Sequence, residues 1–294
     1  MRVASPKQDP TTFGGKSSVS NLIVPLDGSE LSRVAIPLVC RLMELYSATP
    51  HLLYAGTPTD PGTMLARLGV ESRQLPGGVM HQPTGSAAES ILHLANELPQ
   101  AAIVMCTHTG HNPRTDCFGS VTEAVLAGNP ARIVLLAPEH HRETVKLNRI
   151  VLAHDGTPTA AVAVGPAAEL AYHSRADVLV IHVAAPRKGA PSESGSLPAP
   201  RYVDQPQHEW PSWTSEFSAR LLAMGVPGSS VKFKVIVAGG QPGSELAQFA
   251  RSVEADMVIL ANAGDWEHCR HNVARVAIRS CGCPVMLVSC GSSK

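Results

Sequence analysis

Short, uninterrupted apolar runs alternate along this chain with longer stretches whose apolar residues recur at helical spacing. The run at 22–26 lacks the alternation of a half-exposed strand, so it predicts a short strand that is buried on both faces. Residues 31–45 then carry apolar side chains at helical spacing, which predicts an amphipathic helix with Ser29 as its cap. Pro37 falls inside this helix, as Pro166 does in a similar stretch further along, and we expect it to kink the helix.

The same alternation of strand and helix continues to the end of the chain. Strands that alternate with helices predict right-handed crossovers and a parallel sheet with helices on both faces. Five strands with about four helices match a doubly wound α/β domain, and the chain holds two such sets. The predicted strands are 21–26, 51–56, 79–83, 101–106 and 132–137 in the first set, and 149–153, 179–184, 231–238, 256–261 and 284–289 in the second.

The two sets are copies of one unit. Each begins with an apolar run that ends in Asp-Gly, at Asp27 and at Asp155, and residues 51–58 match residues 179–186 at the same separation. An internal repeat of this size indicates two domains of one kind. The predicted organisation is a loose polar tail at 1–19, a first domain at 20–140 and a second domain at 147–290.

The copies differ most between their second and third strands. There the second copy gains a Pro/Ser/Gly-rich loop at 187–207, whereas residues 61–78 of the first copy predict at most a stunted helix. The loop leads into a predicted amphipathic helix that carries Trp210, Trp213, Phe217, Leu221 and Leu222.

Composition and charge narrow the range of functions. The chain has 294 residues, of which 44% are apolar, so it is large enough for two ordinary hydrophobic cores. Its 24 basic and 24 acidic side chains cancel, so neither nucleic acid nor a membrane surface is an expected partner. The apolar runs are too short to span a bilayer, and the start of the chain lacks the apolar core of a signal peptide. We therefore expect a cytoplasmic protein whose seven cysteines are reduced.

The candidate chemistry lies after the strands, because open α/β sheets bind ligands beyond the carboxyl ends of their strands. Asp27 follows the first strand and has two equally supported interpretations. It is either a turn or helix-cap residue, or an acceptor for a ribose or base group. The pair Gly119-Ser120 opens a predicted helix, where backbone N–H groups and a hydroxyl suit a phosphate. Serine is also a common helix cap, so this pair alone is weak evidence.

Several motifs in a fixed order resemble the universal stress protein family. They are Pro25-Leu26-Asp27, the proline in the first helix, Ile181–Val183, Gln241–Leu246, the Gly119-Ser120 region and the closing run 283–288. The resemblance covers residues 20–290 as a tandem of two family domains. It implies a five-stranded parallel sheet of order 3-2-1-4-5 in each domain and, as in many members, the binding of ATP.

The family's ATP motif, Gly-x2-Gly-x9-Gly-(Ser/Thr), falls on the first copy with its spacing intact. Cys106 and Thr109 stand in place of the first two glycines, although Gly110 lies one position away, and Gly119-Ser120 forms the last pair. Side chains in place of glycines would crowd the phosphates. By the same resemblance Asp27 would contact adenosine and the backbone of Ala55 would meet adenine, so the nucleotide-binding residues predicted in this copy are Pro25, Leu26, Asp27, Ala55, Cys106, Thr109, Gly110, Gly119, Ser120 and Val121.

The second copy keeps the adenosine end of the motif and loses the phosphate end. Asp155 and Val183 correspond to the adenosine-binding positions, and Ala261 and Gly264 to the first two glycines. The loop that follows is shorter than the motif requires, and His271-Asn272 stands where Gly-Ser belongs. We therefore expect that the second copy does not bind ATP in the family manner.

A group of cysteines and histidines between residues 268 and 290 is a candidate for a zinc site. Its spacings match no common structural zinc site, so small buried thiols and loop histidines are the favoured interpretation and no metal is predicted. Thiol redox sensing stays open for Cys106 or Cys117, which lie near the predicted pocket. The group consists of His268, Cys269, His271, Cys281, Cys283 and Cys290.

Three functions remain. The first is a stress-response regulator that binds an adenine nucleotide through its first copy, and the second is a nucleotide-free interaction module. The third is weak ATP hydrolysis or thiol chemistry, which no positioned base or metal ligand supports, so catalysis is not expected. By resemblance to dimers of the family, the two copies are expected to pair through their fifth strands as a pseudo-dimer within one chain, and two chains could associate further.

Overall fold

The fold was derived from a computed structural model of the chain. The structure describes residues 18–57, 59–107, 118–128, 133–138, 144–184, 233–262 and 273–289, together with residues 215 and 219. No helix within these ranges is long and apolar enough to cross a membrane.

Within these ranges ten strands form one sheet, in the order β3-β2-β1-β4-β5-β10-β9-β6-β7-β8. The five strands of each half are parallel in the order 3-2-1-4-5, and the two halves meet where β5 pairs antiparallel with β10. The predicted fold class is therefore confirmed. The strands are β1 (Asn21–Pro25), β2 (Thr49–Leu53), β3 (Val79–His81), β4 (Ala101–Cys106), β5 (Ile133–Ala137), β6 (Arg149–Ala153), β7 (Asp177–Ala184), β8 (Phe233–Gly239), β9 (Met257–Asn262) and β10 (Val285–Ser289).

Two strands begin earlier than predicted, and for the same reason. β2 begins at Thr49 and not at residue 51, and β7 begins at Asp177 and not at residue 179. Both strands start with polar residues that an apolar pattern does not reveal, and backbone pairing extends over them: Thr49 N–H donates to Ser20 O at 3.0 Å, and Asp177 N–H to Asn148 O at 2.9 Å. The ladder, and not hydrophobicity alone, sets where a strand begins.

Nine helices can be bounded within the described ranges, and each half begins with a pair of them. They are α1 (Glu30–Arg33), α2 (Ile36–Tyr46), α3 (Pro61–Leu68), α4 (Ala87–Glu97), α5 (Ser120–Gly128), α6 (Pro158–Ala161), α7 (Val164–Ser174), α8 (Pro242–Ser252) and α9 (Val273–Ser280).

The expected proline kink is instead a break between two helices. Ser29 caps α1, as predicted, by accepting a hydrogen bond from Ser32 N–H at 3.1 Å, and the chain turns at residues 34–35 before α2 starts. Pro37 lies in the first turn of α2, where a backbone N–H has no partner within the helix. The proline therefore removes no helical hydrogen bond, and the prediction of a kinked single helix was wrong.

The stunted helix predicted in the first half is α3. Asp60 caps its start by accepting from Thr63 N–H at 2.9 Å, and Gly69 ends it in the left-handed conformation at φ 62°. The amphipathic helix predicted in the second half lies outside the described residues, apart from Ser215 and Ala219, which are helical.

Two hydrophobic cores lie on the two faces of the sheet, because successive strand residues point to opposite faces. Leu22 and Val24 of β1 pack in the core under α2, α3 and α7, whereas Ile23 packs in the core under α4, α5, α8 and α9. Each core continues across β5 and β10 into the other half. The two cores therefore place α2 and α5, which follow the adjacent strands β1 and β4, on opposite sides of the sheet.

Side chains also join the halves away from the central strands. Ser18 N–H donates to Glu169 Oε1 at 2.8 Å, and the rings of Tyr46 on α2 and His173 on α7 lie 5.1 Å apart between centroids. Glu123 on α5 and Arg275 on α9 form an ion pair across the same junction.

Candidate nucleotide site

The strand order reverses between β1 and β4, which are adjacent parallel strands with Ile23 opposite Ile103. Their carboxyl ends, Pro25 and Cys106, therefore lie at one edge of the sheet. The following helices leave on opposite faces, which opens a crevice of the kind where α/β sheets bind ligands. β6 and β9 repeat this arrangement in the second half.

Asp27 stands at the mouth of the first crevice, directly after β1. Buried Leu26 donates its N–H to Leu53 O at 2.9 Å, so the chain leaves the sheet at an exposed Asp27. Asp27 Oδ1 accepts a hydrogen bond from Ser29 N–H at 2.8 Å, which fixes the carboxylate in its own turn. Gly28 follows at φ 86°, and a β-carbon there would lie 2.9 Å from Arg67 O, so this turn requires glycine.

Asp155 forms the same turn in the second half. Thr157 N–H donates to its Oδ1 at 3.0 Å, and Thr157 Oγ1 accepts from Ala160 N–H at 3.1 Å to cap α6. Gly156 has φ 85°, close to the value of Gly28. Asp-Gly-Ser and Asp-Gly-Thr thus build one local structure twice, and the turn-residue interpretation of both aspartates holds whether or not a ligand binds.

The predicted adenine-facing residues follow the second strand of each half. Ala55 is half-buried just after β2, where Tyr54 N–H donates to His81 O at 3.0 Å. Val183 is half-buried within β7 of the second half. Both residues therefore stand beside the strand that carries the aspartate turn.

Two buried histidines lie under the second aspartate turn, and the sequence interpretation missed their role. His154 Nδ1 accepts from Gly156 N–H at 3.0 Å, and His182 Nδ1–H donates to His154 O at 3.0 Å. Burial lowers the pKa of His154 to about 4, partly opposed by the charge of Asp155. The motifs His-Asp-Gly and Ile-His-Val carried the signal, since a histidine inside an apolar run is a polar group that needs a partner.

The phosphate end of the first crevice is only partly described. Cys106 and Thr107 are buried, and Thr107 Oγ1–H donates to Ala137 O at 3.3 Å, so this hydroxyl is directed to β5. Thr109 and Gly110 lie outside the described residues.

Gly119-Ser120 occupies the position predicted for a phosphate-binding pair. Gly119 has φ 93°, in the left-handed region that favours glycine, and its carbonyl accepts from Glu123 N–H at 3.0 Å. Ser120 is exposed as the first residue of α5, and Val121 is half-buried behind it. The pair therefore stands at a helix N-terminus, where backbone dipoles favour an anion.

At the corresponding end of the second crevice, only the end of β9 and the start of α9 lie among the described residues. Ala261 is half-buried near the end of β9, and α9 begins at Val273. Gly264, His271 and Asn272 lie outside the described residues.

The late cysteines behave as small apolar residues where they are described. Cys281 and Cys283 are buried in the core under α8 and α9. Burial, with a smaller contribution from Cys283, raises the pKa of the Cys281 thiol to about 12, so the thiolate that would bind a metal is disfavoured. Among the described residues no group of three or more His, Cys, Asp or Glu side chains is arranged to hold a metal ion.

A groove of about 620 Å³ runs between α4 and β3, and neither Asp27 nor Asp155 lines it. Its walls include Glu89, His93 and Glu97 on one face of α4 and His81 on β3. His51 on β2 links side chains of the two neighbouring strands. Its Nε2 lies 2.9 Å from Asn21 Oδ1 on β1, and its Nδ1 lies 3.0 Å from His81 Nε2 on β3. Burial lowers the pKa of His51 and of His81, so this polar chain favours neutral rings.

Known proteins share this architecture, and a family model matches part of the sequence. The model of the universal stress protein family matches residues 146–289. A universal stress protein from Archaeoglobus fulgidus DSM 4304 has a TM-score of 0.65 at 14% identity, with 93% of this chain and 97% of that chain covered. A protein described as a universal stress protein from Pseudomonas aeruginosa UCBPP-PA14 has a TM-score of 0.63 at 14% identity, with 92% and 93% covered.

The same fold also occurs in another setting. The cytoplasmic domain of a prokaryotic cation chloride cotransporter has a TM-score of 0.56 at 14% identity, with 94% of this chain and 97% of that chain covered. At such identity these likenesses concern the fold, and the fold alone does not determine a function. The family model is the more specific finding, and the first half of the sheet repeats the strand order of the half that it matches. Residues 146–289 therefore form a domain of the universal stress protein family.

Proposed function

We propose that this chain is a cytoplasmic regulatory protein of the stress response that binds an adenine nucleotide through its first half. The observation that carries the proposal is the position of two local structures. The Asp27 turn follows β1, the Gly119-Ser120 turn follows β4 and opens α5, and these strands are neighbours at the reversal of strand order.

In this proposal each of the two turns binds a different part of the nucleotide. Asp27 and the backbone near Ala55 bind adenosine, and Pro25 and Leu26 form the adjoining wall. The N–H groups of Gly119-Ser120 and the Ser120 hydroxyl bind phosphate oxygens at the helix N-terminus. Val121 packs beside them, and Cys106, Thr109 and Gly110 complete the loop.

The second half has a supporting role in the proposal. Asp155 and Val183 keep the adenosine end of its crevice, whereas His271-Asn272 replaces the Gly-Ser pair that would bind phosphate. We propose that the halves act together as a pseudo-dimer within one chain, which the antiparallel pairing of β5 and β10 supports.

Isothermal titration with ATP tests the proposal, with Asp27→Ala as the variant and Asp155→Ala as its matched control. Both aspartates accept a backbone N–H in the same type of turn, so both variants lose that turn hydrogen bond, and Asp155→Ala also loses the bond from the Thr157 hydroxyl. Only Asp27→Ala removes the proposed ligand group. We expect it to weaken ATP binding about tenfold, the effect of losing one hydrogen bond to a charged group, while Asp155→Ala binds as the wild type does.

Two results would overturn this assignment. Absence of binding heat from the wild type at millimolar ATP would remove the nucleotide function altogether. Equal weakening by Asp27→Ala and Asp155→Ala would show that loss of the turn hydrogen bond, and not of a ligand group, is responsible.

A nucleotide-free interaction module is the second candidate, and one observation favours it. Asp27 and Asp155 both satisfy their own turns, and buried Cys106 stands where the family motif has glycine, so the turns need no ligand to explain them. This alternative predicts that the purified protein carries no nucleotide. ATP found in acid extracts of the pure protein would count against it.

A further inference from the structure

An ion pair between the halves lies directly behind the proposed phosphate-binding turn. Arg275 Nη1 and Nη2 on α9 donate to Glu123 Oε1 and Oε2 on α5, both at 2.9 Å. The two side chains are only 16% and 23% exposed. A bidentate, largely covered pair of this kind is geometrically specific and is screened less than an exposed pair.

The same carboxylate holds the residue that enters the turn. Glu123 Oε1 also accepts from Phe118 N–H at 3.2 Å, and the Phe118 ring is fully buried. The guanidinium carbons of Arg275 and Arg279 lie 5.5 Å and 5.1 Å from the centre of that ring, within the range of a cation–π contact. Phe118 is thus held by two side chains of α9 and by the carboxylate that Arg275 orients.

These contacts set the position of Gly119-Ser120. Phe118 immediately precedes Gly119, whose φ of 93° directs the chain from the loop into α5. A turn between a fixed aromatic ring and a fixed helix has little freedom of its own. A shift of α9 therefore changes where the N–H groups of the turn point.

Arg275 also balances a charge that would oppose an anion. Glu123 lies in the first turn of α5, close to the helix N-terminus that would receive phosphate. An uncompensated carboxylate there would repel phosphate, and the bidentate contact with Arg275 offsets that charge.

We propose that Arg275 of the second half is a positioning residue for the phosphate-binding turn of the first half, and that it thereby sets the affinity for the nucleotide's phosphate groups. This inference rests on the proposed nucleotide function. It gives the second half, which has lost its own Gly-Ser pair, a role in the remaining site.

Comparing ATP with adenosine by titration tests this inference, because the turn meets only the phosphates. We expect Arg275→Met to weaken ATP binding about threefold to tenfold, the usual size of coupling effects, and to leave adenosine binding unchanged. Arg275→Lys keeps the charge without the bidentate geometry and is expected to restore part of the loss. Arg251→Met is the matched control: Arg251 Nη1 donates to Ser280 O at the end of α9, and its loss should not change the ratio of ATP to adenosine affinity.

Two outcomes would overturn the inference. One is an equal loss of ATP and adenosine binding in Arg275→Met, which would indicate general destabilisation. The other is unchanged binding of both ligands.

A readout without nucleotide separates this inference from the proposed function. Amide hydrogen exchange of residues 118–124 in the ligand-free protein should be faster in Arg275→Met than in the wild type and in Arg251→Met. If the wild type binds no ATP but exchange at 118–124 accelerates, the proposed function fails and the positioning role of Arg275 stands. If exchange is unchanged, the positioning role fails whatever the nucleotide result.

Discussion

His154 is a buried histidine whose neutral ring supports the turn that carries Asp155. Its Nδ1 accepts from Gly156 N–H, which only an unprotonated nitrogen can do, and burial, opposed by Asp155 and reinforced by His182, lowers its pKa from 6.5 to about 4. Above pH 6.5 the ring is neutral in the folded and the unfolded chain. Between pH 6.5 and 4 the unfolded chain binds a proton that the folded chain does not, so the free energy of unfolding falls as the pH falls.

A variant without this titration should lose less stability in acid. An asparagine side chain keeps an acceptor oxygen near the position of Nδ1, so we expect His154→Asn to reduce the loss of unfolding free energy between pH 7 and pH 4.5 by about 2 to 3 kcal/mol. Urea denaturation at the two pH values measures this. The control for the change from histidine to asparagine itself is His93→Asn, at an exposed position on α4. Identical pH dependence in all three proteins would contradict the assignment.

Single residues of the site were predictable where their geometry is local. An Asp-Gly pair after an apolar run fixes its own turn, so the exposed positions of Asp27 and Asp155 follow from a few neighbouring residues. The contact between Glu123 and Arg275 depends on two helices that are distant in the chain, and no local pattern indicates it. The buried network of His154 and His182 likewise depends on which strands become neighbours.

At the scale of elements, the segment predicted as one helix forms two, α1 and α2. Ser29 caps the start of α1, and Pro37 lies in the first turn of α2, where a proline costs little stability. Pro37→Ala therefore restores no missing hydrogen bond and should change the free energy of unfolding by less than about 1 kcal/mol. A proline in the middle of the same helix, as in Arg41→Pro, should cost about 3 kcal/mol or more.

Chemical denaturation of the variants checks both values. Arg41→Ala is the control for the lost contact of Arg41 with Glu44, which are joined at 2.9 Å. A large stabilisation by Pro37→Ala would show that the proline strains one continuous helix after all.

The elements were predictable because their apolar patterns were regular, and the errors share a cause. The alternation of strands and helices and the stunted α3 follow from periodicity and from Gly and Pro signals. The strand order was implied by the resemblance to the universal stress protein family and not by these patterns. The early starts of β2 and β7 depend on backbone pairing with neighbours, and the helix break depends on a turn at 34–35 that carries no strong breaker of its own.

At the scale of the whole molecule, the halves share one sheet and two continuous cores. We expect them to unfold in one cooperative transition, because melting one half would expose the fifth strand and the core of the other. Leu287 of β10 is fully buried opposite Val134 of β5, and Leu287→Ala should cost about 2 to 5 kcal/mol. In the Leu287→Ala protein, the denaturation midpoint should fall by the same amount for both halves.

Hydrogen exchange at increasing denaturant measures this through peptides from β1 and β6. Leu31→Ala is the control, because Leu31 is 38% exposed and should leave both midpoints in place. Separate midpoints for the two peptides in the wild type would show that the halves unfold independently.

The ion pair between α5 and α9 also has a consequence for how the two halves can differ. β5 and β10 pair as a twofold axis requires, with Ile133 opposite Val288 and Leu136 opposite Val285, and α5 and α9 are the matching helices of the two halves. Glu123 and Arg275 therefore occupy the same position in the repeat. Two identical chains would oppose like charges there, glutamate to glutamate or arginine to arginine. Within one chain the two copies are free of that symmetry, so one position of the repeat carries opposite charges in its two halves and joins them.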